Sequence, residues 1–307
     1  MRIGRAARWG TALLAVALLV GLSALVYGRS RSVPPPRPVP NHAYRSAPDP
    51  NAPAVVWAVG DGADGSAVAR AVAARIARDR PQRLLYLGDV YDDGSAEDFR
   101  ARYDTVYGRL ARITAPTPGN HDWPAHRDGY DPYWEAVTGA ATPPWYAFAI
   151  GGWRVLSLSS EAPHGAGSEQ LRWLRAEVRR DNGSCTLAFW HRPLRSAGLH
   201  GDQSDVAPLW NALRGRARLV VNGHDHDLQR LRPRDGITEL VAGAGGETRY
   251  GVDESDSRQA FGDDQHGGAL RMQLRPGGAR LTFVAADGAV LDRSAVRCSP
   301  ASASTAT

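Results

Sequence analysis

Five polar turns, each closing an apolar run, constrain this chain more than any other feature. Gly60-Asp61 follows Val55-Val56-Trp57-Ala58-Val59, and Gly88-Asp89 follows Leu84-Leu85-Tyr86-Leu87. Gly119-Asn120-His121-Asp122 follows the short run from Ile113 to Pro116. His191 follows Thr186-Leu187-Ala188-Phe189-Trp190, and Gly223-His224-Asp225-His226 follows Arg218-Leu219-Val220-Val221 and Asn222. Short continuous apolar runs of this kind read as buried strands. Helical spacing lies between them: Val68, Val72 and Ile76 fall four apart, Ala96 to Leu110 reads as a helix, and Leu171, Leu174 and Val178 mark another. A further strand is expected over Arg154 to Leu158, and apolar runs near 238–242, 269–275 and 280–291 read as antiparallel strands. Strands alternating with helices predict an α/β domain. In open α/β sheets, ligands bind beyond the C-terminal ends of the strands. Side chains scattered from Asp61 to His226 are therefore expected to meet in one site.

The residue types in these turns suggest what that site does. Asp61, Asp89, Asn120, His191, His224 and His226 offer carboxylate, amide and imidazole donors without a thiolate. Such a set suits zinc, iron or manganese rather than a sulfur-rich structural zinc. Six donors exceed what one open catalytic metal needs and suit two metals sharing a bridging carboxylate, an arrangement that activates water and clamps a phosphoryl group. His224 and His226, two apart on a turn, can serve different metals. His121 is placed for the leaving group, with Asp122 available to orient its ring.

The set Gly60-Asp61-Gly62, Gly88-Asp89, Gly119-Asn120-His121-Asp122, Trp190-His191 and Gly223-His224-Asp225-His226 resembles the calcineurin-like metallophosphoesterase superfamily over residues 55–230, and within it the purple-acid-phosphatase-like branch. The resemblance implies a four-layer helix–sheet–sheet–helix sandwich with mixed sheets. It implies two metal ions, iron with zinc, manganese or a second iron. Asp89 would bridge them, Asp61 and His226 would hold the first, and Asn120, His191 and His224 the second. The implied reaction is hydrolysis of a small phosphomonoester by a metal-bound hydroxide, with His121 as general acid. A phosphodiesterase or nucleotidase of the same fold is the alternative within enzymes. A non-catalytic surface protein that keeps its metal is the alternative from another class.

Two positions depart from the family pattern. Most of the superfamily carries a His two residues after the first Asp, where this chain has Ala63. The purple branch instead supplies a Tyr three residues after the second Asp. Here Tyr91 is two residues after Asp89, and Asp92 occupies the third place. Tyr91 is then either the missing first-metal ligand or a packed rim aromatic. Arg192 stands where relatives often have a second His; its guanidinium either grips phosphate oxygens bidentately or pairs with an acid. His200, in a Gly-rich loop, is a rim candidate. His42, His126 and His266 read as ordinary polar residues, and Trp57, Trp153 and Trp190 as core. Gly243-Ala244-Gly245-Gly246 lacks the Lys of a phosphate loop and reads as a place where backbone approaches the site rim.

The chain's ends set its expected location. Its 37 arginines and lysines against 32 acids give a formal charge of +5, but seven arginines precede Asp49, the first acid. From there on the balance is 30 against 32, a net of −2, which gives no electrostatic case for nucleic-acid binding. Residues 10–27 form an uncharged apolar run behind three arginines, read as a membrane anchor or signal peptide over residues 1–27, with the bulk of the chain exported. Residues 28–53 read as a Pro-rich linker, 54–298 as the metallophosphoesterase domain and 299–307 as a disordered tail. Two cysteines in an exported chain, Cys185 and Cys298, favour a disulfide over two free thiols. Asn182-Gly183-Ser184 reads as a turn rather than a glycosylation site. Uncleaved, the N-terminal segment would tie the protein to a membrane; the oligomeric state is left open.

Overall fold

The computed structural model describes residues 44–298, apart from 142 and 181–184. Strands β1 (Ala54–Val59), β2 (Arg83–Tyr86) and β3 (Thr114–Pro116) pair in parallel. Strands β11 (Gly268–Arg275), β12 (Gly278–Ala285) and β13 (Val290–Arg297) extend them antiparallel into a six-stranded sheet of order β13-β12-β11-β1-β2-β3. The second sheet has seven strands, ordered β10-β8-β9-β7-β6-β5-β4. Its parallel centre is β5 (Trp153–Ser157), β6 (Cys185–Phe189), β7 (Ala217–Asn222) and β9 (Thr238–Ala242). Strands β4 (Tyr146–Ile150), β8 (Leu228–Leu231) and β10 (Gln259–Asp263) flank it antiparallel.

Side-chain alternation explains why these layers stack. Val56 and Ala58 of β1 join Leu187 and Phe189 of β6 in a core between the sheets. The other face of β1, Trp57 and Val59, packs on Ala69, Val72 and Ile76 of helix α1 (Ala67–Arg78) and on Trp134 of α2 (Tyr130–Thr138). Ala188 of β6 faces outward against Leu174 and Val178 of α3 (Glu169–Arg179) and Leu209 of α4 (Ala207–Leu213). Strands covered on both faces must be apolar at every position, and this is why the runs were continuous. The result is the expected helix–sheet–sheet–helix sandwich. Ser66 and Ser168 cap α1 and α3 by accepting the N–H of Ala69 and Leu171.

Several expectations need correction. The run 280–291 is two strands, because Asp287 and Gly288, with Gly288 at φ 101°, turn the chain between β12 and β13. Strand β9 pairs in parallel with β7 as well as antiparallel with β8. The helix from Ala96 includes a π-helical segment, Phe99–Tyr103, and closes in a 3-10 turn at Ile113. Part of the expected linker is fixed to the domain: Ala47 N–H donates to the Ala149 carbonyl at 2.9 Å, and Gly152 N–H to that of Pro50 at 2.6 Å.

Cys185 and Cys298 form a disulfide with Cα atoms 5.5 Å apart, joining the start of β6 to the chain just past β13. Among the described residues no helix is long and apolar enough to cross a membrane. Residues 10–27, the sequon at 182–184 and the tail from 299 lie outside them.

Candidate metal centre

The site forms where the C-terminal ends of the two sheets face each other. Strands β1, β2 and β3 deliver Asp61, Asp89 with Tyr91, and Asn120 with His121. Strands β7 and β6 deliver His224 with His226, and His191. Gly88, at φ 103°, is required here: a Cβ on it would lie 2.8 Å from His191 Nδ1 and 2.7 Å from Gly119 N. Gly243 plays the part expected of its loop, since a Cβ there would run into the Asp225 carbonyl and come within 2.8 Å of Asp61 Oδ2.

All seven candidate donor residues converge, in two overlapping groups. In the first, Tyr91 Oη lies 3.2 Å from Asp61 Oδ1, 3.3 Å from Asp89 Oδ2 and 2.9 Å from His226 Nε2. In the second, His191 Nε2 lies 2.9 Å from Asn120 Oδ1, 3.2 Å from His224 Nδ1 and 3.4 Å from Asp89 Oδ2. Asp89 belongs to both. One donor atom each of Asp61, Asp89 and His191, all buried, fall within 4.8 Å of one another, a group able to hold a metal ion.

Hydrogen bonds behind the donors fix their orientation. His191 Nδ1 lies 2.9 Å from the Leu87 carbonyl and His226 Nδ1 2.8 Å from that of Thr248. A carbonyl only accepts, so each Nδ1 carries the proton and each Nε2 presents a lone pair inward. The Asp122 side chain, expected to orient the His121 ring, is taken up by backbone instead. Its fully buried carboxylate accepts the backbone N–H of Asp89, Val90 and Gly119 at 2.8, 2.9 and 2.8 Å, tying the β2 turn to the β3 turn. His121 is oriented instead by the Asp92 carbonyl, 2.6 Å from its Nδ1, and by the Tyr91 ring at 4.6 Å.

The electrostatics call for cations. Burial and the neighbouring Asp89 charge hold Asp61 well above the usual carboxylate range, and push Asp122 up to about 8. Burial and the Asp225 charge raise Asp227 likewise. Burial pulls His224 and His226 down, which favours their neutral forms. Burial and the charges of Asp61 and Asp89 raise Tyr91. A concentration of buried acid beside neutral imidazoles is the arrangement a bound cation stabilises.

The remaining candidates lie at the edge. His200, exposed, stacks on His224 with ring centroids 4.3 Å apart. Arg192 pairs bidentately with Glu161, Nε to Oε1 at 2.9 Å and Nη2 to Oε2 at 3.2 Å. His126 bonds Asp131 and stacks on Trp123, and His266 bonds Asp263. Trp57, Trp153 and Trp190 are core.

Sequence reasoning missed three contributors. Tyr250 stacks on His226 at 4.1 Å, from the loop after β9. Asp225 accepts the His200 N–H at 2.8 Å and the Ser196 hydroxyl. Gln229 bridges Ser196 Oγ and Asp227 Oδ1, both at 2.9 Å. Asp225 sat inside a recognised motif and could have been found; Tyr250 had no local signal.

Fold and site together have the two-sheet sandwich and the buried donor cluster of a metal-dependent hydrolase. The chain belongs to the calcineurin-like phosphoesterase family, whose model matches residues 54–228. Among solved structures it is similar to GAP50, the anchor in the inner membrane complex of Plasmodium, at 15% identity and TM-score 0.69, over 81% of this chain and 90% of that one. It is also similar to a purple acid phosphatase from yellow lupin (Lupinus luteus) seeds, at 15% identity and TM-score 0.64, over 80% of this chain and 54% of that one. A dimetal phosphatase from Danio rerio matches at 14% identity and TM-score 0.54, over 80% of this chain and 99% of that one. No match was found among curated protein sequences.

Proposed function

We propose that the protein is an exported, two-metal phosphoesterase acting on small phosphomonoesters. The observation that carries the reading is the double convergence on Asp89: Tyr91, Asp61 and His226 on one side, Asn120, His191 and His224 on the other. The donor set fits two metals, iron with zinc, manganese or a second iron: Asp61, Asp89, Tyr91 and His226 would hold one, and Asp89, Asn120, His191 and His224 the other. When bound, such metals supply an activated water and positive charge facing the phosphoryl oxygens. The protein's own residues do the rest. As the imidazolium, His121 donates Nδ1–H to the Asp92 carbonyl and holds a second proton on Nε2, the one delivered to the leaving alkoxide. Asp122 holds the Asp89 and Gly119 turns at fixed separation. Tyr91 fills the gap left by Ala63, its hydroxyl reaching the first group across the shorter spacing.

Export is supported by the disulfide, which suits an oxidising compartment, and by the arginine-flanked apolar run at the N-terminus. The second reading is a non-catalytic surface-binding or anchor protein that keeps its metal; the similar structure GAP50 is itself the anchor in an inner membrane complex.

One experiment separates them. Full-length protein loaded with iron, zinc or manganese should release phosphate from phenyl phosphate and stop when metal is chelated. His121→Ala should lose turnover by 100-fold or more on the scale of a lost general acid, while retaining metal. A metal-replete wild type inert towards mono- and diesters would leave the anchor reading standing.

A further inference from the structure

The two sheets face each other strand by strand, and this orders the cleft. At one end β1 opposes β7, where Asp61 accepts the His224 N–H at 2.9 Å. In the middle β2 opposes β6, where Asp89 meets His191. At the far end β3 opposes β5, where the Thr117 hydroxyl donates to the Leu158 carbonyl at 2.6 Å and the Ser157 hydroxyl to that of Pro116 at 3.2 Å. His121 follows β3, and Glu161 follows β5. Arg192, one residue beyond His191, reaches across to Glu161. Its guanidinium is thus on the β3–β5 side of the cleft, the side whose turn carries His121, the residue proposed as general acid.

The pair is braced. The Ser160 hydroxyl donates to Glu161 Oε1 at 2.9 Å and accepts the Arg192 N–H at 3.1 Å. The Glu161 side chain is 7% exposed and that of Arg192 29%. Glu161 occupies the Nε–Nη2 edge of the fork. Among the described residues Nη1 has no partner, which leaves the end-on edge, Nη1 with the outer hydrogen of Nη2, open. A guanidinium already held on one edge loses little freedom when its other edge binds an anion. With its side edge held by Glu161, the fork has its end-on edge left for a second anion.

We propose that Arg192 is a specificity-determining residue that binds a second anionic group, carboxylate or phosphate, on the leaving alcohol of the substrate. The proposal rests on the phosphoesterase reading above. It assigns the substrate class as phosphomonoesters whose alcohol carries another negative charge.

The test compares 4-carboxyphenyl phosphate and 1,4-phenylene bisphosphate with 4-carbamoylphenyl phosphate, a neutral comparator of similar shape, on the metal-loaded full-length protein. A charge-assisted hydrogen bond predicts kcat/KM about tenfold or more in favour of the anionic substrates. A preference for the carboxylate alone or the bisphosphate alone identifies which anion the fork takes. Calorimetric Kd values for the corresponding non-hydrolysable phosphonates should show the same ratio. Arg192→Gln should bring the ratio to about one, and Arg192→Met is the second truncation should the Gln variant not fold. Turnover without preference, or a preference that survives both variants, overturns the proposal while the phosphoesterase reading stands. Absence of turnover with a preserved Kd ratio overturns the phosphoesterase reading instead.

Discussion

Asp122 offers the sharpest test of how the site is built, because its side chain touches neither substrate nor the candidate donor side chains. Its Oδ2 accepts two backbone N–H groups, from Asp89 and Gly119, and its Oδ1 accepts one, from Val90. Asp122→Ala leaves three buried donors without acceptors. Hydrogen bonds to a charged group contribute about 1.5–3 kcal/mol each, a figure that applies to Asp122 above its raised pKa of about 8, so the comparison is made at a pH above that value. Relief of the burial and Asp89 repulsion that raise the Asp122 pKa offsets part of that loss. A net cost of about 3–5 kcal/mol follows, the range for breaking a buried ionic network from one side, against a total stability of about 5–15 kcal/mol. Asp122→Asn can keep its oxygen at the Oδ2 position, serving two donors, and sets its amide against the Val90 N–H alone. It should cost about 1–2 kcal/mol. The assay is urea unfolding with metal chelated, so that metal affinity does not enter the comparison. In the metal-loaded state the Asn variant should be 10–100-fold less active, as when an outer contact to a metal ligand is lost. An Ala variant within about 1 kcal/mol of wild type, or one no worse than Asn, would refute this account of Asp122.

Three further outcomes are expected. Replacing both cysteines with Ser should lower stability by about 4–5 kcal/mol on chain-entropy grounds, since the bridge spans 113 residues; an unchanged urea midpoint would contradict this. Burial pushes Glu239 up to about 7 from an ordinary 4.5, against the pull of Arg195. Between those values the folded protein holds a proton that the unfolded chain has lost, so stability should fall as pH rises through that window and level off above 7, by about 3 kcal/mol in all. Glu239→Gln should flatten that fall, measured as urea midpoints at several pH values; an identical fall in both proteins rejects it. Iron-loaded wild type should absorb visible light if Tyr91 binds ferric iron as tyrosinate, and Tyr91→Phe should bleach it. A colourless wild type with iron confirmed at the first position excludes Tyr91 as a ligand.

The parallel strands and the turns after them were legible in the sequence because burial on both faces forces an unbroken apolar run, and because a turn that ends at a ligand edge carries polar residues with no packing role. Asp61, Asp89, Asn120, His191, His224 and His226 stood out for that reason, and the structure brings them together. What lies between motifs was not legible. Nothing local marks Tyr250, whose loop reaches His226 only after β9 has inserted beside β7. Strand β8, with the pattern Leu228-Gln229-Arg230-Leu231, is too polar to look buried; Gln229 is accommodated by Ser196 and Asp227 rather than by apolar contact. Arg192 could be read two ways because its partner, Glu161, is 31 residues away.

The backbone at the site is strained, and the strain and the convergence have one cause. Asp61, Asp89 and His224 adopt the left-handed conformation at φ 56°, 63° and 75°, costing on the order of 1–3 kcal/mol each. Each of their N–H groups is taken by another part of the site: Asp61 by the Gly88 carbonyl, Asp89 by Asp122 and His224 by Asp61. Bringing a donor onto the cleft axis requires the chain to turn sharply at the strand end, and the turn exposes an N–H that water cannot reach. A neighbouring site residue satisfies it. Asp61 therefore acts twice, with Oδ1 facing Tyr91 and Oδ2 holding the His224 backbone. Replacing it would remove one donor directly and release the turn that places another, so the first and second groups should weaken together rather than separately.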